Sequence, residues 1–345
     1  MRVGICGYPG SGKTTVFQAL APGAKINQKG VSLGSIKVPD VRIDQLAEIF
    51  EPRKNVFAEI VFADVGNTAG PGAGAFHPAV LEAMRLMDVL VNVVRAFDSP
   101  MAETEDDPER DMSLFDDELV LLDMELLEKR GDRWRREQRK GLDVQTNQRC
   151  LDHLSEGLPL RVLELSPPER LTLVGIQLFS LKPLIVLHNL SEERFDDEAW
   201  AHARELRQLG QNSWSMGICA QLEAELNELE PDERAEMLAD LGLEEPAAAV
   251  FVRTAYSLLD LISFLTFGPD ECRAWPIRRG TVARKAAGKV HSDIERGFIR
   301  AEVSALTDML EYRTEAALRA AGKTRLEGKE YVVKDGDLIV FRFNV

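Results

Sequence analysis

The residues with the clearest capacity for chemistry lie near the start of the chain, in the run Gly7-Tyr8-Pro9-Gly10-Ser11-Gly12-Lys13-Thr14. This run matches G-x-x-x-x-G-K-[ST], in which glycines let backbone N–H groups surround a polyphosphate. Lys13 is expected to reach the β- and γ-phosphates of a nucleotide, and the Thr14 hydroxyl to bind Mg²⁺. The positions expected to line this nucleotide site are Gly7, Pro9, Gly10, Ser11, Gly12, Lys13, Thr14 and Thr15.

The segments on either side of this run have the character that a phosphate-binding loop needs. Residues 2–6 are short, apolar and rich in β-branched side chains, which predicts a strand, and residues 15–20 predict a helix. A helix N-terminus adds the positive end of a dipole beside the phosphates. The alternative is an ordinary glycine-rich turn before a helix, and the strand before it argues against that alternative.

A second acid is expected to complete the magnesium site. Asp64 directly follows the strand-like segment 57–63, the position from which P-loop enzymes hold the metal shell. The alternative is an aspartate that caps a turn. The continuous apolar run 88–94 predicts another buried strand, and 77–87 predicts a crossover helix between the two. This βαβ pattern indicates a mostly parallel sheet.

The middle of the chain predicts a long helical hairpin. Apolar residues recur at helical spacing from Ser113, and a second helical stretch covers 142–154. Between them, Lys129–Lys140 holds seven basic and two acidic residues around Trp134, a pattern typical of surfaces that bind single-stranded nucleic acid. The alternative is a solvated helix face. We expect an acidic loop over 103–111 and helices over 167–179 and 197–209.

Base recognition is expected where a later strand, 183–187, ends. GTPases carry N-K-x-D there, and this chain has Asn189-Leu190-Ser191-Glu192. Glu192 is too long for the guanine contact, Leu190 replaces the lysine that packs along the base, and the Asn189 amide can still pair with adenine. The segment therefore favours ATP over GTP, the alternative being an ordinary turn between a strand and a helix.

Composition limits the class of protein. The chain has 345 residues, 45% hydrophobic and 29% charged, with a net charge of −15. That charge argues against a general nucleic-acid binder. No apolar run approaches the length of a membrane span, and the four cysteines are scattered, so we expect a cytoplasmic monomer with reduced thiols. A basic surface is nevertheless expected near the C-terminus, from Arg273, Arg278, Arg279, Arg284, Lys285, Lys289, Arg296 and Arg300.

These pieces together resemble the Obg-like ATPase (YchF) family. The resemblance rests on the run from Val38 to Glu48, on Asn189 and Glu192, on Cys219–Ala224, and on the segments 274–275, 287–293, 297–302 and 332–337. It implies an α/β P-loop domain over 1–112 and 166–262, a helical coiled-coil insert over 113–165, and an α+β TGS-like domain over 263–345. It also implies ATP as nucleotide and association with ribosomes, with Phe97 near the adenine and Ala220 at the same site. A plain core phenylalanine is the alternative for Phe97.

The chain departs from that family in its switch segments. Gly10 replaces an asparagine, Gly66 comes one place early after Asp64, and residues 21–33 contain no threonine, leaving Ser32 as a substitute. No glutamine stands beside Asp64 to orient a water, and the family generally has an apolar residue at that place. We therefore expect ATP binding more firmly than efficient hydrolysis. The competing functions are an ATP-driven switch that associates with the ribosome or RNA, an adaptor with weak or no hydrolysis, a GTP-preferring GTPase, and a small-molecule kinase.

Overall fold

The chain divides into two compact units. The computed structural model describes residues 2–24, 31–65, 76–99, 105–196 and 207–344. One unit contains Met1–Ile36 and Val61–Phe251, and the other contains Lys37–Ile60 and Val252–Val345. The expected boundaries had assigned residues 37–60 to the nucleotide domain, and here that segment belongs with the C-terminal part of the chain.

Seven strands form the sheet of the first unit, in the order β2-β4-β1-β5-β6-β8-β7. The pairs β4–β1, β1–β5, β5–β6 and β6–β8 are parallel, and β7 runs antiparallel to β8. The expected α/β fold with a mostly parallel sheet is therefore confirmed. The strands are β1 Arg2–Cys6, β2 Ser32–Lys37, β4 Glu59–Asp64, β5 Val89–Ala96, β6 Leu184–Leu190, β7 Arg207–Gly210 and β8 Ser213–Ile218.

The second unit is built on a six-stranded sheet in the order β12-β11-β13-β9-β10-β3. Its strands are β3 Lys54–Val56, β9 Leu261–Thr266, β10 Glu271–Arg278, β11 Phe298–Ser304, β12 Arg325–Glu327 and β13 Leu338–Phe343. The described helices of the whole chain are α1 Lys13–Leu20, α2 Val41–Phe50, α3 Pro78–Arg85, α4 Pro108–Arg136, α5 Leu142–Ser155, α6 Pro167–Thr172, α7 Glu192–Asp196, α8 Ala220–Glu228, α9 Pro231–Asp240, α10 Ala247–Leu258, α11 Ala283–Val290, α12 Ser292–Arg296, α13 Leu306–Tyr312 and α14 Glu315–Ala320.

Contacts across long sequence separations explain why residues 37–60 join the second unit. The Arg42 guanidinium donates to Asp335 at 2.9 Å and also binds Asp40, which caps the start of α2. The rings of Phe50 and Phe267 lie 5.0 Å apart. In addition, β3 pairs with β10 in parallel. These contacts place α2 and β3 on the C-terminal sheet.

The helical hairpin is fixed to the first unit by buried polar contacts at its root. The carboxylate of Asp123 on α4 accepts from Phe179 N at 2.9 Å and from Ser180 N and Oγ at 2.7 Å each. Arg161 donates to Asp116 at 2.8 Å. Because Asp123 is almost fully buried, desolvation raises the pKa of its carboxyl, and the three donors oppose that rise. The expected helical insert is confirmed, with its first helix anchored to the sheet domain.

Three local predictions were wrong at their ends. The acidic segment expected as a loop over 103–111 is partly helical, because Asp107 caps α4 and Pro108 occupies its first turn. The helix expected over 167–179 ends at Thr172, and Gly175 and Gln177 adopt positive φ beyond it. Of the helix expected over 197–209, residues 197–206 lie outside the described ranges, and 207–209 belong to β7. Within the described ranges, no helix has the length and apolarity that a membrane span requires.

Candidate nucleotide-binding site

The phosphate-binding loop joins β1 to α1, as the sequence predicts. Backbone conformation and close packing explain why glycine occurs at several of its positions. Gly7, Gly10 and Gly12 all adopt positive φ. A Cβ on Gly7 would lie 2.4 Å from the Val93 carbonyl oxygen, and one on Gly12 would lie 2.2 Å from Asn189 Nδ2. A Cβ on Gly10 would meet no atom within 4 Å. The first and last glycines are therefore required by close packing as well as by backbone conformation.

Lys13 is held inside the loop that it is expected to serve. Its side chain is buried, and Nζ donates to the Tyr8 carbonyl oxygen at 2.8 Å. Burial lowers the pKa of Lys13 from 10.5 to about 8, and the charge of Asp64 opposes that change. The ammonium has exchanged most of its hydration for one carbonyl and the nearby charge of Asp64, so a polyphosphate would supply further anionic partners.

Thr14 and Asp64 come together as the magnesium prediction requires. Thr14 Oγ1 lies 3.4 Å from Asp64 Oδ2 at the carboxyl end of β4. A hydroxyl and a carboxylate are hard oxygen donors, which suit Mg²⁺. Among the described residues, no cluster of three or more histidine, cysteine, aspartate or glutamate side chains could hold a metal. The pair therefore fits an ion that takes its remaining ligands from nucleotide phosphates and water.

A cavity of about 560 Å³ adjoins the phosphate-binding loop at the carboxyl ends of β5, β6 and β8. Ligands of open α/β sheets bind at this edge. Seven of the residues expected at the nucleotide line it, and five further lining residues were not anticipated. The lining residues are Gly12, Thr15, Phe97, Asp98, Asn189, Leu190, Ser191, Glu192, Glu193, Cys219, Ala220 and Gln221.

Asn189 braces the inner wall of this cavity. Its Nδ2 donates to the Ser11 carbonyl at 3.1 Å, and its Oδ1 accepts from Ala220 N at 3.3 Å. The amide thus ties the phosphate-binding loop to the start of α8. A primary amide has two N–H groups and two lone pairs, so each polar atom retains one further hydrogen bond for a base. The structure adds a bracing role that the sequence interpretation did not include.

The other residues expected at the base differ in how much they reach the cavity. Leu190 is buried, and packs in a cluster with Phe195 and Leu222. Glu192 is exposed at the start of α7. Phe97 is half-buried, and its Cε1 would lie 3.8 Å from a Cβ on Gly12. Phe97 is therefore a cavity-lining residue rather than a plain core phenylalanine.

Comparison with known proteins defines the family. The Ribosome-binding ATPase YchF of Bacillus subtilis is 36% identical to this chain over 368 residues, and both proteins are covered completely. The chain belongs to the YchF family. The Obg-like ATPase 1 of Oryza sativa subsp. japonica is 33% identical over 372 residues, which cover all of this chain and 92% of that protein. The family YchF-GTPase_C, described as a protein of unknown function, matches residues 261–344.

A solved structure supports the same assignment. The structure of the Schizosaccharomyces pombe YchF GTPase superposes with a TM-score of 0.86 at 30% identity, covering 99% of this chain and 97% of that chain. The resemblance expected from the motifs is thus confirmed, together with the fold that it implies for this YchF-family protein.

The basic hairpin tip, Lys129–Lys140, differs from a nucleic-acid stacking surface. Trp134 is 2% exposed, with the guanidinium carbons of Arg130 and Arg139 at 4.0 and 4.8 Å from its ring centroid. Trp134 therefore does not present its ring for stacking with bases, and the association of the basic tip with RNA or the ribosome stays a prediction. Four of the seven cations of the tip are also paired with acids along the helices. These pairs are Lys129–Glu125, Arg133–Glu137, Arg135–Asp132 and Arg139–Asp143.

The C-terminal unit presents a second basic surface on α11. Ala283, Ala286 and Ala287 bury one side of this helix, and the opposite side exposes Arg284, Lys285 and Lys289. We call these three cations the α11 face. Lys285 pairs with Glu295, whereas Arg284 and Lys289 make no ion pair with an acid in the described part of the chain. This face is less neutralised than the hairpin tip.

Proposed function

We propose that this YchF-family protein binds ATP with Mg²⁺, hydrolyses it slowly, and docks on the ribosome in the cytoplasm. The observation that carries the nucleotide part is the junction of a complete phosphate-binding loop with the cavity braced by Asn189. The ribosome part rests on the names of the relatives and on the α11 face.

The side chains divide the work at the phosphates. Backbone N–H groups of the loop surround the β- and γ-phosphates, and Lys13 places its charge on them. Thr14 and Asp64 would hold Mg²⁺, which neutralises charge on the phosphate oxygens when it is bound. Gly10, Thr14 and Thr15 are exposed beside Lys13, which is itself buried.

The base would enter the cavity beyond Gly12, between Phe97 and the segment from Asn189 to Glu192. The remaining N–H of Asn189 can donate to adenine N7, and the Glu192 carboxylate can accept from the adenine amino group. Guanine presents an oxygen in place of that amino group, so the same carboxylate repels it. Because Leu190 is buried among apolar side chains, a lysine cannot replace it without placing a charge in the core.

Calorimetry with ATP, ADP and GTP, with and without Mg²⁺, tests this proposal. We expect ATP to bind about tenfold more tightly than GTP, the value of one well-placed pair of base contacts. Lys13→Ala should abolish the binding of both triphosphates while leaving the circular-dichroism spectrum unchanged. Equal affinities of the wild-type protein for ATP and GTP would refute the base assignment, and ATP binding by the Lys13 variant would refute the site.

An adaptor that binds nucleotide without useful hydrolysis is the second candidate, and the altered switch segments favour it. Gly10 stands where the family has an asparagine, and residues 21–33 contain no threonine that could close over Mg²⁺. Phosphate release measured with and without ribosomes separates the two candidates. Release that ribosomes accelerate supports the switch, and release no faster than that of Lys13→Ala under both conditions supports the adaptor.

A further inference from the structure

The outer wall of the base cavity is held by an arginine that none of the nucleotide motifs contains. Arg194 lies on α7, two residues after Glu192, and both of its terminal nitrogens bind the two carboxylate oxygens of Asp106, with Nη2–Oδ1 at 3.1 Å. Nη2 also donates to Asp98 Oδ1 at 3.2 Å. One guanidinium thus joins the helix that bears Glu192 to Asp98 and to Asp106, the two partners on either side of residues 100–104.

The Arg194–Asp106 pair is better protected from water than an ordinary surface ion pair. The side chains of Arg194 and Asp106 are 23% and 8% exposed, and the contact is bidentate. Such forked pairs combine two charge-assisted hydrogen bonds with a fixed orientation. The hydrogen bond from Arg194 lowers the pKa of Asp106, so the pair is ionised at neutral pH.

The partners of Arg194 explain why this contact bears on the base. Asp98 lines the cavity beside Phe97, at the end of β5. Asp106 directly precedes Asp107, which caps the long helix α4. The backbone N–H of Arg194 also donates to Ser191 Oγ at 3.3 Å, within the segment that lines the cavity. The short helix α7 is therefore fastened to the Phe97 wall and to the rigid start of α4.

We propose that Arg194 is a positioning residue for adenine recognition: it holds α7 and the Phe97–Asp98 segment together so that Glu192 and Phe97 face the base. This inference rests on the proposed function, because it assigns the cavity to the base of ATP. Arg194 acts through the wall and does not touch the phosphates. Its loss therefore weakens the part of the affinity that the base supplies and leaves the phosphate part intact.

The test compares ATP, GTP and inorganic tripolyphosphate as calorimetric probes of the full-length chain with Mg²⁺. For Arg194→Gln we expect ATP to bind about tenfold more weakly, the loss typical of one hydrogen-bonded charge pair, with tripolyphosphate unchanged. The preference for ATP over GTP should shrink with it. Arg194→Lys keeps the charge without the fork, and should recover part of the loss.

Arg234→Gln is the matched control. Arg234 lies on α9 in the same unit, and donates to the carbonyls of Leu226 and Leu229 at 2.7 and 3.0 Å. It does not line the cavity, so its loss should leave the ratio of ATP to tripolyphosphate affinity at the wild-type value. An Arg194 variant with the same ratio as this control would overturn the inference. Equal weakening of ATP and tripolyphosphate would also overturn it, by showing a general structural effect.

Asp98→Asn decides the question if Arg194→Gln fails to fold. Asp98 is 91% exposed, so the substitution cannot disturb the core, and it weakens one of the contacts to Arg194. We expect ATP to bind about threefold more weakly, in line with one partly exposed ion pair, with tripolyphosphate unchanged. An unchanged ATP affinity would overturn the inference. If wild-type ATP binds no more tightly than tripolyphosphate, the proposed function itself fails, before any variant is made.

Discussion

Gly12 and Gly10 offer a matched pair of substitutions that tests the bracing role of Asn189. The two glycines have nearly the same positive φ, 83° for Gly12 and 81° for Gly10. Alanine at either position therefore pays a similar conformational cost of about 1 kcal/mol. The two positions differ in space, because a Cβ on Gly12 would lie 2.2 Å from Asn189 Nδ2, whereas one on Gly10 meets nothing within 4 Å.

The expected difference follows from the hydrogen bonds that Asn189 makes. Gly12→Ala must displace the amide, which breaks its bonds to Ser11 and Ala220, each contributing about 1 kcal/mol. Gly12→Ala should thus destabilise the nucleotide-binding unit by about 2 kcal/mol more than Gly10→Ala, the value of those two bonds. Because the displaced amide also enters the cavity, the affinity for ATP should fall about tenfold more in the Gly12 variant, which corresponds to 1.4 kcal/mol.

Urea unfolding and calorimetry measure these two quantities. Since the chain has two units, the relevant transition is the one that ADP shifts to higher urea. Repeating Gly12→Ala in an Asn189→Ala background completes a double-mutant cycle. There the extra cost of Gly12→Ala should disappear, and only the conformational cost should remain. Equal effects of the Gly10 and Gly12 variants, or the same Gly12 effect in both backgrounds, would refute the reasoning.

Two further predictions concern charge. Because burial lowers the pKa of free Lys13 to about 8 and phosphates favour its charged form, ADP binding in EDTA at pH 8 should take up about half a proton. The affinity for ADP should then fall as pH rises through 8. Calorimetry in two buffers measures the proton uptake. Lys13→Arg should show neither this uptake nor this dependence on pH. Reversing the α11 face to glutamate should reduce co-sedimentation with ribosomes and lower its salt slope by about 0.9 per lost phosphate contact. Reversing Arg133, Arg135 and Arg136 to glutamate should reduce co-sedimentation less. If as much of the α11 variant as of the wild-type protein pellets with ribosomes, the prediction for the α11 face is wrong.

The lowered pKa of Lys13 also determines how the stability of the nucleotide-free protein changes with pH. The folded pKa of Lys13 lies below its ordinary value of 10.5, so the unfolded chain binds more protons between pH 8 and that value. The contribution of Lys13 to the stability of the nucleotide-free protein therefore increases with pH across this window. Nucleotide affinity moves in the opposite direction, because the phosphates require the charged form.

Local patterns were enough to predict the phosphate-binding loop and the strand ends. The loop motif requires a strand before it and a helix after it, and the meeting of Thr14 with Asp64 follows from parallel strands ending at one edge. The same rule could have found Asp98 and Gln221, which follow strands that end at the cavity. The signal was their position, two residues after β5 and three residues after β8, rather than their residue type.

Other features depend on contacts that no local pattern encodes. Trp134 looks like an exposed aromatic in a basic run, yet its ring is buried, with the guanidinium groups of Arg130 and Arg139 over it. The segment 37–60 joins the second unit through Arg42 and Asp335, which are almost 300 residues apart in sequence. Counting only the charges within Lys129–Lys140 overestimated the positive charge of the hairpin tip for the same reason. Glu125 and Asp143 lie outside this run and neutralise cations within it.

The braces at Asn189 and Arg194 together indicate how the proposed site would recognise a base without the usual lysine. Asn189 joins the phosphate-binding loop, β6 and α8, and Arg194 joins α7 to the ends of β5 and the start of α4. Because these elements are held in place before the ligand binds, ordering them on binding costs little free energy. Selectivity then depends on the shape of the walls, and substitutions of the braces should change base preference more than substitutions of exposed lining residues such as Gln221.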